Sequence, residues 1–338
     1  MHVTCTIGDC NGIGLEVWAK AIQAGNRHRD LRHVRWSLIA HPRTVAEYAQ
    51  ACRLPLQVTA DGIELESTRV SLIPCTTYAP IRWGYSDPLA ARLAIEALEL
   101  ALRLVQQGNA DGIVTLPIAK QVLHQLGWRY PGQTEFLAHP YPDRIPIMLF
   151  VAPSLRVALF TTHIPLRRVY SAVTSEALHS FVRHLQCGLA IDFGLERPRI
   201  ALLGLNPHAG EGGVLGKEEE SLQPALERLR NEGYSIDGPF AADAFFGRRR
   251  WKEYDVIIAM YHDQGLIPFK LLAQNKGVNV TLGLPFVRTS PDHGTAYDIA
   301  GKGLAKADSM RQALLLAAEL VRRRHTQDMF PRKKLAAN

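Results

Sequence analysis

Short apolar runs, each bounded by glycine, proline or polar residues, recur along the chain and read as buried strands. They cover 2–7, 34–40, 111–115, 155–161, 199–205 and 256–260. Helical periodicity fills the intervals. The clearest case is 88–107, where Leu89, Leu93, Ala97, Ala101 and Val105 repeat every four residues. Asp87 suits its N-cap, Pro88 its first position, and Gly108 ends it. Further helices are predicted from about 14 to 24, from Pro42 at a first helical position, from Lys120, over 175–189, from about Lys217, after the turn 238–243, and over 310–324. Strands alternating with helices mean an α/β protein with largely parallel sheets. The first strand leads into Gly8-Asp9-Cys10-Asn11-Gly12-Ile13-Gly14. That spacing is GxxxGxG, so it predicts a tight turn and not a dinucleotide fingerprint.

Composition narrows the class. The 338 residues suffice for one large or two ordinary domains, and 47% hydrophobic with 21% charged residues is the balance of a soluble globular protein. No apolar run reaches bilayer length, and the N-terminus lacks the pattern of a signal peptide. Five scattered cysteines without CxxC spacing predict reduced thiols and a cytoplasmic setting. The net charge of +7 does not indicate nucleic acid: four of those charges lie in the last twenty residues (Arg322, Arg323, Arg324, Arg332, Lys333 and Lys334 against Glu319 and Asp328). A second patch, 248–252, has little aromatic interleaving. Both read as solvated surface that weakly steers an anionic substrate.

Candidate chemistry gathers at strand ends, where open α/β sheets hold ligands. His163, His208 and His262 each follow an apolar run by one to three residues, so the three imidazoles share one sheet edge. Three neutral imidazoles with an open position describe a catalytic divalent site. Others of the thirteen histidines, such as His28, His33, His179 and His184, have no such context. Asp243 and Asp263 stand in nearby turns, and either suits the task of orienting a ligand imidazole. Lys270, Asn279 and Arg288 supply two cations and an amide for a phosphate and a carboxylate. Thr134 is predicted to cap the helix behind Gly132, whose backbone N–H groups then face an anion. Lys120 at a strand-to-helix turn is an anion ligand or a surface lysine. These residues imply a small, anionic, hydroxyl-bearing substrate, and leave hydrolase, aldolase and dehydrogenase open.

The segments GDCNGIGLEV, TLPIAK, GQTEFLA, TTHIPL, GLNPHAGEGGVLGKEE, GPFAAD, AMYHDQGLIPFK and VNVTLGLPFVRTSPDHGTA occur in this order. Together they resemble the 4-hydroxythreonine-4-phosphate dehydrogenases of pyridoxine biosynthesis. DHGTAYDIAGKGLAKAD is also similar to the adenosine-side loop of the isocitrate and isopropylmalate dehydrogenases. The resemblance implies two α/β/α domains with mostly parallel sheets and an active-site cleft between them, divided as 1–130 with 283–338 and 131–282. It implies metal ligands His163, His208 and His262, substrate ligands Gln133, Thr134, Lys270, Asn279 and Arg288, and cofactor contacts His293, Gly294 and Thr295. His208, Lys270 and Asp243 are the candidates for the catalytic steps.

The cofactors implied are NAD or NADP and one divalent ion (zinc, magnesium or cobalt) per site. The implied assembly is a cytoplasmic homodimer with a shared active site, in which His262 serves the neighbouring protomer, with no nucleic-acid or membrane partner. Where the family has GHTE this chain has Gln133, an amide that donates a hydrogen bond without charge. That keeps related dehydrogenases of phosphorylated threonate or erythronate acids as an alternative. From other classes, the alternatives are a phosphotransacetylase-like acyltransferase and a non-catalytic sugar-phosphate binder.

Overall fold

The computed structural model describes residues 1–25, 31, 33–66 and 68–329. His28 and the basic residues Arg332, Lys333 and Lys334 lie outside the described residues. The chain opens with β1 (His2–Thr6), α1 (Gly14–Gly25), β2 (Arg35–Ala40) and α2 (Pro42–Cys52). Strands β3 (Leu56–Thr59), β4 (Gly62–Leu65) and β5 (Thr68–Pro74) follow, then α3 (Pro88–Gln106), β6 (Gly112–Thr115), α4 (Lys120–Gln125) and α5 (Gln133–Ala138). The middle of the chain forms β7 (Ile147–Ala152), β8 (Leu155–Leu159), α6 (Leu166–Ala172), α7 (Ser175–Phe193) and β9 (Ile200–Leu203). It continues through α8 (Glu218–Asn231), β10 (Ile236–Phe240), α9 (Ala242–Gly247), β11 (Val256–Ala259), α10 (His262–Ala273) and β12 (Val278–Leu282). Strand β13 (Val287–Pro291) and α11 (Asp308–Thr326) complete it.

These elements form two compact units: Met1–His139 with Pro285–Asn338, and Pro140–Leu284. In the first unit the strand order is β13-β6-β1-β2-β5-β4-β3. The first five of these run parallel. Beyond the expected elements, residues 56–74 add an antiparallel meander at the edge. In the second unit the order is β10-β9-β11-β8-β7-β12. Strands β10, β9, β11 and β8 are parallel, and β7 opposes both β8 and β12. The turn predicted at 238–243 is partly strand, since Gly238 and Pro239 lie inside β10.

Helix α3 shows how local chemistry sets an element. The Asp87 carboxylate accepts from the N–H groups of Leu89 (2.8 Å) and Ala90 (3.3 Å), and Pro88 needs no partner at the first position. Its buried face is Ala90, Leu93, Ala94, Ala97, Leu98 and Ala101, whereas Leu89 is exposed. A four-residue row drifts around a helix of 3.6 residues per turn, so Leu89 has rotated out of the face that Leu93 and Ala97 share. Replacing Asp87 with alanine is expected to cost about 1 kcal/mol, read as a shift in a urea unfolding midpoint.

All five cysteines are unpaired. Cys5, Cys10 and Cys75 are buried, and burial pushes the Cys5 and Cys75 thiols up to about 12. Cys187 is exposed. A thiol reagent applied to the folded protein is therefore expected to modify Cys187 first and to reach Cys5 and Cys75 only on unfolding.

Candidate active site

In the second unit, β8, β9 and β11 run in one direction, so their C-terminal ends form one edge. His163 follows β8, His208 follows β9, and His262 is the first residue of α10, just beyond β11. The rings of His163 and His262 lie with centroids 6.3 Å apart and planes inclined by 40°. His262 Nδ1 is 2.6 Å from Asp263 Oδ1. With the proton on Nδ1 and donated to that carboxylate, the Nε2 lone pair is left to face a ligand. Asp263 thus meets the His262 ring, whereas Asp243 is an exposed residue in the first turn of α9.

His208 sits in an unusual backbone. From His208 to Gly213 every residue has a positive φ, including the non-glycines His208 (53°), Ala209 (52°) and Glu211 (45°). Such conformations cost about 1–2 kcal/mol per non-glycine residue, so the surroundings must hold them. Asn206 provides the hold. Its backbone N–H donates to Glu219 Oε1 (2.7 Å), and its side-chain amide donates to Glu218 Oε2 (2.6 Å) and Glu219 Oε2 (2.9 Å). The Glu219 side chain is buried against the loop it fastens.

Imidazole is a ligand type that suits a divalent ion. Imidazole nitrogens bind zinc at about 2.1 Å, so two rings sharing an ion hold their centroids on the order of 6 Å apart. The His163–His262 pair meets that spacing. His208 is not brought to the pair: among the described residues, no group of three His, Cys, Asp or Glu side chains is placed to hold a metal. Lys270 is exposed near the end of α10. Asn279 is half-buried in β12, opposite Phe150, and its Oδ1 is buried without a hydrogen-bond partner among the described residues. A buried acceptor left so costs about 1–3 kcal/mol and invites a donor from a ligand.

The first unit contains the remaining candidates. Arg288 in β13 is only 4% exposed. Its guanidinium donates to Thr115 Oγ1 at 2.9 Å and reaches Thr134 Oγ1 at 3.4 Å. Burial pushes its pKa down to about 10, against the attraction of Glu135, so it stays cationic at neutral pH. Thr134 does not cap α5 as predicted. Gly132 occupies the N-cap without a side-chain bond, and the Thr134 hydroxyl turns to Arg288 instead. Gln133 donates its amide N–H to the Leu116 carbonyl at 3.0 Å, which leaves its Oε1 buried and without a partner among the described residues. Lys120 is the exposed first residue of α4.

His293, Gly294 and Thr295 follow β13 in a loop that the first glycine-rich turn braces. The Ile13 N–H donates to the Thr295 carbonyl (2.9 Å), and Tyr297 OH donates to Asp9 Oδ2 (2.7 Å). A Cβ on Gly12 would stand 2.7 Å from that Thr295 carbonyl, so glycine permits the approach. The turn at 8–14 thus packs on protein. Burial raises the Asp9 pKa, while the hydrogen bonds from Tyr297 and Asn11 oppose it.

Residues 32–317 match the family described as pyridoxal phosphate biosynthetic protein PdxA. The chain belongs to the PdxA family. A 4-hydroxythreonine-4-phosphate dehydrogenase from Erythrobacter litoralis is 42% identical over 330 residues, spanning 94% of this chain and 96% of the relative. The crystal structure of a 4-hydroxythreonine-4-phosphate dehydrogenase from Klebsiella pneumoniae superposes with a TM-score of 0.77 at 34% identity, covering 95% of this chain and 98% of that one. A terephthalate 1,2-cis-dihydrodiol dehydrogenase from Burkholderia xenovorans matches at a TM-score of 0.60 and 26% identity, covering 94% and 98%. PdxA membership makes the chain an oxidoreductase of the dehydrogenase type, and two α/β units are the fold it shares with these structures. Among the described residues, no helix is long and apolar enough to cross a membrane.

Several residues of this PdxA chain gain a role only from the structure: Asp9 and Tyr297 as braces, Asn206 and Glu219 as a clamp. Asp9 beside Gly8 and Asn206 two residues after Gly204 are the available signal, but their partners lie 288 and 13 residues away in sequence.

Proposed function

We propose that this PdxA-family chain oxidises 4-phosphooxy-L-threonine at C3 with NAD. The product, 2-amino-3-oxo-4-phosphooxybutanoate, loses carbon dioxide to give 3-amino-2-oxopropyl phosphate on the route to pyridoxal 5'-phosphate. The observation that supports this most is the 42% identity, across 94% of the chain, to a relative named for that substrate.

In this reading the guanidinium of Arg288 holds the substrate phosphate, with the hydroxyls of Thr115 and Thr134 fixing its plane. Asn279 Oδ1 accepts from the substrate, which satisfies an acceptor that folding leaves bare. His163, His208 and His262 are the residues that would hold a divalent ion, and Asp263 keeps the His262 ring in the ligating tautomer. Such an ion, when bound, supplies Lewis acidity that lowers the pKa of the substrate hydroxyl. The hydroxyl proton passes to a base, for which Lys270 and Asp243 are the candidates, as the C3 hydride moves to the nicotinamide. His293, Gly294 and Thr295 form the cofactor side, kept in shape by the Asp9–Tyr297 bond.

Exposed apolar side chains support a second copy of the chain as partner. Ile267 and Leu271 lie one turn apart on the outer face of α10, and Leu166 and Tyr170 do the same on α6. A homodimer formed over these helices would place His262, at the start of α10, beside the interface. Replacing Leu271 with glutamate is expected to shift the sedimentation coefficient from dimer to monomer and to lower activity with it.

The decisive assay follows NADH absorbance with 4-phosphooxy-L-threonine, with and without chelator. NADH formation that chelator abolishes and divalent ions restore is the expected result. No NADH with any divalent ion would sink the reading. The Gln133 amide bears on substrate choice, because its free oxygen asks for a donor. Phosphorylated threonate and erythronate, run in the same assay, decide between the dehydrogenase alternatives.

A further inference from the structure

Three strand ends in the second unit carry the three histidines, and one chain of hydrogen bonds runs across all three. Strand β11 pairs with β9 as Val256–Ile200, Ile257–Ala201 and Ile258–Leu202. The same register, carried two residues on, sets Met260 opposite Gly204. There the two strands no longer bond directly. Instead the Met260 N–H donates to Gln264 Oε1 (2.7 Å), and Gln264 Nε2 donates to the Gly204 carbonyl (2.6 Å). The side-chain amide thus stands in for a backbone rung at the point where β9 departs towards His208. On the other side, the Met260 carbonyl accepts from both the N–H (3.2 Å) and the hydroxyl (2.6 Å) of Thr161, which follows β8. Met260 and Thr161 are both buried.

We propose that Gln264 and Thr161 are positioning residues that hold the three strand ends from which His163, His208 and His262 are presented to an ion, within one protomer or across the dimer. The proposal rests on the reading of those histidines as ion ligands. Each group in the ribbon lies close in sequence to one ligand. Thr161 is two residues before His163, Met260 two before and Gln264 two after His262, and Gly204 four before His208. The chemistry is specific to an uncharged amide, which can accept from an N–H and donate to a carbonyl at once. A glutamate of the same shape can accept from Met260 but has no hydrogen for Gly204, and sets a carboxylate against a carbonyl oxygen. At Thr161, valine keeps the shape and loses the donor, whereas serine keeps the donor.

Residues that orient metal ligands typically alter affinity by about 10- to 100-fold when replaced. The test uses the full-length protein with cobalt(II) alone as probe, titrated by calorimetry and by its visible d–d bands, alongside thermal unfolding. Gln264→Glu and Thr161→Val are each expected to weaken cobalt(II) binding by about 10- to 100-fold and to change the d–d spectrum. Thr161→Ser is expected to restore both. In the NADH assay, kcat should fall while the KM for NAD holds.

Wild-type cobalt(II) affinity and spectrum in Gln264→Glu and Thr161→Val would overturn the proposal. If His163→Ala still abolishes binding in that case, the ligand reading survives and only the ribbon fails. Wild-type protein that binds no cobalt(II), or His163→Ala that binds it as tightly as wild type, overturns both. Should Gln264→Glu not fold, the Thr161 pair decides: equal affinity in the valine and serine variants counts against the ribbon.

Discussion

Replacing Arg288 with methionine is expected to lower kcat/KM for the phosphorylated substrate by roughly 30- to 1000-fold, the equivalent of about 2–4 kcal/mol. Arg288 is a cation enclosed by protein, and the hydroxyls of Thr115 and Thr134 are among its hydrogen-bond partners. Enclosure has already pulled its pKa down to about 10, which records how poorly the folded chain solvates the charge. A substrate phosphate supplies a counter-charge, and methionine removes the group that receives it. Stability should move the other way. Methionine fills a similar volume without a charge to desolvate, so the variant is expected to unfold at the same or a higher temperature. The pair of measurements distinguishes a ligand clamp from a structural strut. A strut lost would lower the melting temperature, and its effect on kcat/KM would extend to the non-phosphorylated hydroxy amino acid. For a clamp, that unphosphorylated substrate should be turned over equally poorly by wild type and variant.

His208 gives the second large effect. His208→Ala is expected to reduce turnover by about three orders of magnitude, the scale of losing several kcal/mol of charge stabilisation. His208→Gly should be equally inactive, yet more stable than His208→Ala by about 1 kcal/mol, because glycine adopts the observed φ of 53° without steric penalty. A stability difference of the opposite sign in urea unfolding would mean that the loop relaxes when the histidine is removed. In the proposed function, the positive-φ run presents the imidazole, and the Asn206–Glu219 clamp keeps it there.

Much of this was legible in the residues because it depends on local pattern. Apolar runs of strand length and the capped 88–107 helix fall where the structure has them, and the histidines do follow strands β8, β9 and β11. What escaped depends on the register between distant segments. Residues 56–74 alternate apolar and polar over stretches of only four to seven residues, too short to separate from loop. Nothing local in β7 announces that it opposes both neighbours. Gln264 was visible as a polar residue without use in a core, but its function as a rung exists only once β9 and β11 are aligned. Thr134 looked like a cap because threonine caps well, and the buried guanidinium of Arg288 outcompeted that role. The left-handed run at 208–213 defies propensity, since histidine, alanine and glutamate seldom take that conformation, and a local reading follows propensity.

The division of the chain also bears on the order in which its units are completed during synthesis. The second unit is one uninterrupted stretch, Pro140–Leu284. The first needs β13, which lies beside β6, and α11, which packs on β13, β6 and α1, and both are translated last. On the ribosome, therefore, the segment made first waits with the β6 edge of its sheet uncovered, while the segment made second already has every strand it needs. If each unit folds once its strands are complete, folding order reverses birth order, and the waiting edge is where a chaperone would act.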